Sequence, residues 1–212
     1  GPPAERVNTP ENPETTAGGL KTVAELAKKS VPGVNTRAVI TSFSGVRASE
    51  KNGDFIIKES EKVKGLIHAA AIDSPGLSSS AAIAEYIAEL LEKSGLELIE
   101  NPDFNGTRED THAFKKMSDE EKDEYIMQNP AYGRIICRCE TVSEGEIIDA
   151  LRRNPKATDI DGVKRRTRAG MGRCQGGFCM PYVMWLIEKE TGKPMTEITK
   201  KGGKSNTVTG RL

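Results

Sequence analysis

The sequence predicts an α+β protein in two parts, a β-strand–helix segment followed by a small, mostly helical domain. Before residue 96 the apolar pattern changes from helical spacing to β-rich runs and back to a helix. After residue 131 short helical stretches are separated by glycine and proline. All four cysteines lie in this second part, in two tight pairs. At 212 residues, the chain has room for one large or two small domains.

The composition is balanced in charge. The chain has 31 Lys and Arg residues and 31 Asp and Glu residues, so net charge gives no argument for a nucleic-acid partner. No apolar run approaches the length of a membrane span, and the first residues lack the layout of a signal peptide. We therefore expect no nucleic-acid partner, no membrane span and a cytoplasmic location.

The first part begins with a loop and a helix. Residues 2–19 carry four prolines and two glycines among polar residues, a composition that predicts an extended loop. Apolar residues at helical spacing then predict a helix from Leu20 to Lys29, which Pro32-Gly33 would stop.

A β-rich stretch follows this helix. Val39–Phe43 predicts one strand and Asp54–Lys58 its return strand, because the intervening Asn52-Gly53 is a strong hairpin signal. Gly65–Ile72 predicts a third, buried strand.

A sharp turn over Asp73–Leu77 leads from the third strand into a helix. Ser78-Ser79-Ser80 predicts the N-cap of this helix, and Gly95 predicts its end. A helix N-terminus presents unpaired N–H groups and a partial positive charge, and Gly76 would let the backbone approach a ligand closely. Taken alone, such a turn is more often an ordinary capped turn than a binding site.

Two capping-box motifs occur in the rest of the chain. Ser118–Glu121 predicts a short helix, stopping near Asn129-Pro130, within a polar linker over residues 96–130. Ser143–Glu146 predicts a second helix, and a third is expected to start at Thr158 or Asp159 and to fail at Gly170.

A final helix is predicted from about Phe178 to Glu190, with Pro181 in its first turn. Phe178, Tyr182, Trp185 and Leu186 recur at helical spacing and predict a core stripe on this helix. Cys179 lies at the helix start, where we expect the helix dipole to favour the thiolate. The Lys-, Gly-, Ser- and Thr-rich residues 200–212 predict a flexible tail.

The cysteines form the motifs C-x-C, at Cys137 and Cys139, and C-x4-C, at Cys174 and Cys179. Two tight pairs in a chain without signs of secretion favour a metal centre over disulfides. An all-sulfur ligand set leaves tetrahedral zinc and an iron–sulfur cluster open. Because paired zinc ligands are usually two to four residues apart, C-x-C is tight for zinc.

Basic residues crowd the approach to Cys174: Lys164, Arg165, Arg166, Arg168 and Arg173. Neutral net charge and a single flanking aromatic argue against a nucleic-acid patch. Stabilisation of an anionic cluster and docking of an acidic electron partner are both compatible with this run.

The cysteine motifs lie in a recognisable context. The chain reads C-R-C-E-T-V-S-E-G-E from Cys137 and R-A-G-M-G-R-C-Q-G-G-F-C from Arg168. Residues 131–195 thereby resemble the [2Fe-2S]-binding domain of the bacterioferritin-associated ferredoxin type, in the form fused to FAD-dependent glycerol-3-phosphate dehydrogenases and related 2-hydroxyacid oxidoreductases. The resemblance implies a [2Fe-2S] cluster held by all four cysteines, and we expect each local pair to share one iron.

The segment Thr36–Tyr86 resembles the end of the FAD-dependent oxidoreductase fold of the D-amino-acid-oxidase type. The matching stretches are S-G-V-R-A at 44–48, D-F-I-I at 54–57 and G-L-I-H-A-A-A-I-D-S-P-G-L-S at 65–78. The resemblance implies that Arg47, on a strand end facing the flavin, binds the anionic group of the substrate. It also implies FAD contacts from one turn, comprising Asp73, Ser74, Pro75, Gly76, Leu77 and Ser78.

One element of that fold is missing from the chain. The G-x-G-x-x-G motif that cradles the FAD pyrophosphate does not occur, since Gly170-Met171-Gly172 leads into a cysteine motif and not a Rossmann helix. We therefore expect the chain to be the C-terminal part of such an enzyme, to bind no FAD tightly by itself, and to expose apolar surface that self-association would cover. The expected domains are residues 1–95 of the oxidoreductase, the linker 96–130, the cluster domain 131–199 and the tail 200–212.

These resemblances imply a dehydrogenase that uses FAD and a [2Fe-2S] cluster. Its expected partners are a small hydroxy substrate such as glycerol 3-phosphate, an electron-acceptor protein or quinone, and a second copy of the chain in a homo-oligomer. Two alternatives stay open at this point. In the first, the substrate is L-2-hydroxyglutarate or another 2-hydroxyacid. In the second, the part of the chain with the cysteines is a non-redox zinc or structural assembly module.

Overall fold

The computed structural model describes residues 3–107 and 114–210, and the chain forms two compact units, Gly1–Gly106 and Thr107–Leu212. Parts of the predicted loop, linker and tail, at residues 1–2, 108–113 and 211–212, lie outside the described residues. Over the described ranges, no helix has both the length and the apolar character needed to cross a membrane.

The first unit is a helix, a two-stranded hairpin and a second helix. These elements are α1 (Ala17–Ser30), β1 (Ile56–Glu59), β2 (Ile67–Ala70) and α2 (Gly76–Lys93), with a short 3₁₀ helix at Thr36–Ala38. The strands are antiparallel, with Ile56 opposite Ala70 and Glu59 opposite Ile67. α2 packs against this hairpin. The predicted first helix and the second and third predicted strands are therefore present.

The predicted strand at Val39–Phe43 is wrong, because these residues have no regular structure. Asn52-Gly53 does form a turn, in which Gly53 has a φ of 80° and its N–H donates to the Glu50 carbonyl. That turn does not join paired strands, since β1 pairs with β2 across residues 60–66. An Asn-Gly pair fixes a local turn, whereas strands also need a partner and a surface to pack on.

The first unit buries very little apolar surface. Gly76 is the one buried residue among residues 3–106, and α1 buries none. The strand β2, predicted to be buried, is half-exposed or exposed throughout. Large apolar side chains such as Phe43, Leu77 and Ile99 are exposed. The expected exposure of apolar surface in this part is therefore confirmed.

The helix α2 starts differently from the prediction. It begins at Gly76 after Pro75, without a side-chain cap, so the predicted serine N-cap is wrong. The hydroxyls of Ser79 and Ser80 turn back and donate to the carbonyls of Pro75 and Leu77. Serines in the first turns of a helix often make this backward bond, which removes them from the cap.

The second unit contains four α-helices and a two-stranded sheet among its described residues. They are α3 (Asp119–Gln128), β3 (Ile135–Cys137), β4 (Val142–Ser143), α4 (Glu144–Arg152), α5 (Ile160–Thr167) and α6 (Met180–Thr191), with 3₁₀ turns at Phe114–Lys116, Pro130–Gly133 and Met195–Glu197. Both predicted capping boxes are present. Asp159 caps α5, and Arg168, in a left-handed conformation, ends it.

The helices α4, α5 and α6 enclose the core of this unit. Ile147, Val163, Leu186 and Ile187 are completely buried there. Cys137 and Cys179 belong to the same cluster of buried residues. The core therefore fixes one cysteine of each motif directly.

The predicted aromatic core stripe on α6 is largely wrong. Leu186 is buried, but Phe178, Tyr182 and Trp185 are 83%, 49% and 38% exposed. The core face of α6 is formed instead by Val183, Met184, Leu186 and Ile187. The first turns of α6 are apolar on more than one face, so spacing alone does not decide which stripe turns inward.

The described residues between 114 and 131 belong to the cysteine-bearing unit and pack against the rest of it. Phe114 is buried and its backbone N–H donates to the Glu146 carboxylate at 3.2 Å. The ring of Tyr132 contacts that of Tyr125 edge-on at 5.4 Å, and its hydroxyl donates to Asp149. Burial raises the pKa of Tyr132 far above its ordinary value, and the Asp149 carboxylate raises it further. These contacts attach α3 and its flanking turns to α4.

Residues 200–212, for which the sequence predicts a flexible tail, begin with a closed turn. Thr199 pairs with Asn206, and the Lys200 ammonium contacts both oxygens of Asp161 at 2.8 and 2.9 Å. The Thr207 hydroxyl lies 3.4 Å from the sulfur of Met184, and Val208 packs on the core. Residues 199–208 are thereby linked to α5 and α6.

The corrected face of α6 gives a first prediction. Leu186→Ala removes a fully buried side chain and should lower the free energy of unfolding of the second unit by about 2–5 kcal/mol. Phe178→Ala, on the exposed face, should change it by no more than about 0.5 kcal/mol. Denaturant unfolding of the two variants measures both values. A larger cost for Phe178→Ala than for Leu186→Ala would contradict the assignment of the core face.

Candidate metal centre

The four cysteines lie on two loops at one end of the second-unit core. Cys137 ends β3 and Cys179 immediately precedes α6, and both are buried, with 1% and 2% of their surface exposed. Cys139 is exposed and Cys174 is half-buried. Each motif therefore directs one sulfur towards the core and one towards solvent.

The sulfur atoms contact each other between the motifs. The Sγ atoms of Cys139 and Cys174 are 3.5 Å apart. Cys137 helps to raise the pKa of the Cys179 thiol, so these two buried sulfurs also lie near each other. All four are free thiols. The structure thus brings the four predicted residues together as an outer pair and an inner pair, each with one member from each motif.

The close approach of the two loops depends on Gly172. This glycine is buried, and a Cβ atom placed on it would lie 2.3 Å from the Cβ of Cys139, a distance that no real side chain tolerates. A residue larger than glycine would push the two motifs apart at this point. The outer pair of sulfurs therefore exists because glycine stands two residues before Cys174.

The loop that carries Cys174 is held by its own amide groups. Gln175 has a left-handed φ of 49°, and its side-chain amide donates to the carbonyls of Met171 and Gly172 at 3.1 and 3.0 Å. Gly176, with a φ of 87°, continues the turn in a conformation that favours glycine. This backbone path points the following N–H groups back at Cys174.

An ion pair links the two loops on the solvent side. The Arg168 Nε lies 2.9 Å from a carboxylate oxygen of Glu140, the residue that follows Cys139. Arg168 ends α5 in the left-handed conformation, so the pair joins the end of that helix to the C-x-C loop. Exposed ion pairs contribute little to stability, and this contact mainly fixes the position of the loop.

The thiols differ in their acidity. The backbone N–H of Phe178 lowers the pKa of Cys174, helped by Cys139 and by the N–H groups of Gly176 and Gly177. Burial, together with the neighbouring Cys137, raises the pKa of Cys179 to about 12. In the metal-free thiol, the effect of burial on the pKa of Cys179 is thus larger than the expected effect of the helix dipole.

Three of the five basic residues that precede Cys174 make contacts within the second unit. Arg165 lies 3.8 Å from Asp159, and Arg166 donates to the carbonyls of Pro155 and Gly162. Together with the Arg168–Glu140 pair, these contacts use three of the five basic side chains for internal contacts.

The predicted site residues of the first unit are placed as follows. Arg47 is exposed, in a segment without regular structure, so the predicted strand end at this position is wrong. No ion pair joins it to Glu50 or Asp54, both of which the structure describes. Asp73–Ser78 forms the connection from β2 into α2, and a Cβ on Gly76 would lie 2.4 Å from the Ile72 side chain. Glycine is thus required there by packing within the chain itself.

The donor set of the second unit fits an iron–sulfur cluster. The cysteines provide two neighbouring pairs of sulfurs, together with amide donors directed at Cys174. Four thiols in two pairs are the ligand set of a [2Fe-2S] cluster, so the residues fit that group.

Comparison with known families agrees with this donor set. Residues 135–189 match the BFD-like [2Fe-2S] binding domain, and residues 1–90 match the FAD dependent oxidoreductase family. The first part of the chain thus matches a FAD dependent oxidoreductase family and the second a BFD-like [2Fe-2S] binding domain, as its motifs predicted.

Individual relatives extend this result along the whole chain. A glycerol 3-phosphate dehydrogenase of Caloramator mitchellensis is 43% identical over 99% of this chain, which covers 44% of that protein. Hydrogen cyanide synthase subunit HcnB of Pseudomonas aeruginosa is 48% identical over 28% of the chain and 12% of its own length. Anaerobic glycerol-3-phosphate dehydrogenase subunit A1 of Haloferax volcanii is 47% identical over 21% of the chain and 7% of its own length. The chain thus spans less than half of each of these proteins, and no solved structure matches it.

The contact between Gly172 and Cys139 gives a second prediction. Gly172→Ala should separate the loops, lower the iron content of the anaerobically purified chain by at least about half, and cost about 1–3 kcal/mol of unfolding free energy. Gly210→Ala is the matched control, because a Cβ at that glycine meets no atom within 4 Å. Iron analysis and denaturant unfolding measure the two effects. Unchanged iron content in Gly172→Ala would show that the outer sulfur pair does not depend on this approach.

Proposed function

We propose that this chain is part of a FAD-dependent dehydrogenase that oxidises the CH–OH group of glycerol 3-phosphate, and that its [2Fe-2S] domain passes electrons from the flavin to an acceptor. The observation that carries the proposal is the meeting of the two cysteine motifs as two sulfur pairs at the core of the second unit. The 43% identity to a glycerol 3-phosphate dehydrogenase over 99% of the chain supports the substrate.

The proposed ligands are Cys137, Cys139, Cys174 and Cys179. Two sulfurs bonded to one tetrahedral metal at about 2.3 Å lie ~3.8 Å apart. The 3.5 Å separation of Cys139 and Cys174 is close to that value, so we assign these two cysteines to one iron and Cys137 and Cys179 to the other. This assignment replaces the local pairing expected from proximity in sequence.

When bound, FAD would accept the hydride from the substrate carbon, and the cluster would carry the electrons onward one at a time. The chain contributes the environment of the sulfurs. N–H groups of Phe178, Gly176 and Gly177 point at Cys174 and stabilise negative charge on it. Such donors favour the more negative, reduced state and therefore raise the reduction potential.

The FAD contacts are proposed for the turn that leads into α2 and for the first residues of this helix: Asp73, Ser74, Pro75, Gly76, Leu77 and Ser78. The 18-residue helix α2 begins without a side-chain cap, and its dipole favours an electron-rich group at this end, although the Gly76 N–H itself donates to the Asp73 carbonyl at 2.7 Å. The match of residues 1–90 to the FAD dependent oxidoreductase family supports the same assignment.

Arg47 is proposed to bind the phosphate of the substrate. Its guanidinium is exposed and makes no ion pair with the nearby Glu50 or Asp54, so its paired donors are available to an oxyanion. A lysine at this position would keep the charge but lose the two parallel hydrogen bonds.

Three further properties complete the proposal. The acceptor is an electron-transfer protein or a quinone. The proposed location is cytoplasmic, a reducing compartment in which cysteines stay out of disulfides and remain available as cluster ligands. The exposed apolar side chains of the first unit are covered either by the rest of a longer protein or by a second copy of the chain.

The role of Arg47 gives a third prediction, tested in the full-length enzyme with a dye acceptor. Arg47→Lys should raise the KM for glycerol 3-phosphate about tenfold, at unchanged flavin content, because a charge-assisted hydrogen bond is lost. Arg37→Lys, at another exposed arginine of the same unit, should leave the KM unchanged. An unaltered KM in Arg47→Lys would remove this residue from the site. Oxidation of L-2-hydroxyglutarate in place of glycerol 3-phosphate would contradict the proposed substrate.

A further inference from the structure

The outer sulfur pair is bordered by two exposed arginines. Arg138 directly precedes Cys139, and Arg173 directly precedes Cys174. Both side chains are exposed, as is that of Cys139. We call these four residues the arginine edge. The inner pair, Cys137 and Cys179, is buried and offers no such approach from solvent.

The charge of the arginine edge is not compensated by the residues around it. Among the ion pairs of residues 3–107 and 114–210, none involves Arg138 or Arg173. Glu140 is the acidic residue next to the edge along the chain, and its carboxylate is already paired with Arg168. The edge therefore carries two arginine charges, each on the residue next to an outer cysteine in sequence, that no described carboxylate pairs with.

A second exposed surface on the same unit has a different character. Arg134, Tyr182 and Trp185 line a shallow groove on α6. Arg134 is paired with Glu144 at 3.1 Å and lies over both rings at 5.8 and 5.9 Å, so its charge is used within the protein. The charge of this groove is thus compensated within the protein, unlike that of the arginine edge.

We infer that the arginine edge is the docking surface for an electron acceptor with an acidic surface, which takes electrons past Cys139 and Cys174. This inference rests on the proposed electron-transfer function. Each encounter moves one electron from the reduced cluster to the acceptor, which is reduced by one electron, and no proton is transferred. The two arginines guide the acceptor to the place where a sulfur is nearest to solvent, since electron transfer weakens steeply with distance.

The first test compares two small oxidants of opposite charge on the anaerobic, dithionite-reduced chain. Reoxidation by the anion ferricyanide should slow about tenfold in Arg138→Glu and in Arg173→Glu at low salt, and reoxidation by the cation hexaammineruthenium(III) should accelerate. The differences should shrink above about 0.2 M salt, where charges are screened over less than ~8 Å. The milder variants Arg138→Gln and Arg173→Gln should show smaller changes in the same directions, and iron analysis confirms that each variant carries its cluster.

Lys193→Glu is the matched control for this measurement. Lys193 is exposed and follows α6, whose 12 residues extend about 18 Å from the Cys179 end. Its charge reversal should leave both reoxidation rates unchanged. Equal effects at Lys193 and at the two arginines would overturn the inference, because net charge alone would then explain the rates.

A second readout measures binding without any redox step. Poly-glutamate, a model for an acidic protein surface, should bind the chain at low salt, and each arginine variant should weaken this binding about tenfold relative to Lys193→Glu. This titration needs no cluster, so it tests the docking surface even if the purified chain carries no iron. Absence of iron would count against the proposed function, and not against the docking surface. Unchanged binding in both arginine variants, or rates insensitive to oxidant charge, would overturn the docking surface.

Discussion

The candidate site depends on the close approach of two loops over a buried core. Cys137 and Cys179 are members of that core, so packing of α4, α5 and α6 fixes the inner sulfur pair. Gly172 then lets the Cys139 loop come near enough for the outer pair to form. Cluster binding would hold together Cys139 and Cys174, which are 35 positions apart in sequence, so folding of this unit and metal binding should be coupled.

The two units of the chain differ in how they are stabilised. The second has a continuous apolar core, whereas Gly76 is the one buried residue among residues 3–106 of the first. A two-stranded hairpin with one packed helix gains little from apolar burial and is marginal by itself. The chain covers 44% of the Caloramator relative, and the proposed dehydrogenase activity belongs to a protein of that kind as a whole. The proposed FAD and substrate contacts therefore lie in the first unit, and the proposed cluster ligands lie in the second.

Local signals in the sequence predicted the structure best. The capping boxes at Ser118 and Ser143 formed as expected, because a box needs only residues three apart. The strand at Val39–Phe43 and the aromatic stripe on α6 failed, since both depend on which neighbours pack against them. Spacing identified the four cysteines but not their contacts. The pairing of Cys139 with Cys174, and the glycine that allows it, are set by tertiary structure alone.

The most direct measurement is the electron paramagnetic resonance spectrum of the reduced, anaerobically purified chain with each cysteine replaced by serine in turn, alongside iron and sulfide analysis. A [2Fe-2S] cluster bound across the two motifs predicts equal amounts of iron and sulfide in the unaltered chain. It also predicts that Cys139→Ser and Cys174→Ser perturb the signal alike, as do Cys137→Ser and Cys179→Ser, because each pair shares an iron. A colourless chain holding one zinc, or spectra that pair Cys137 with Cys139, would contradict this account.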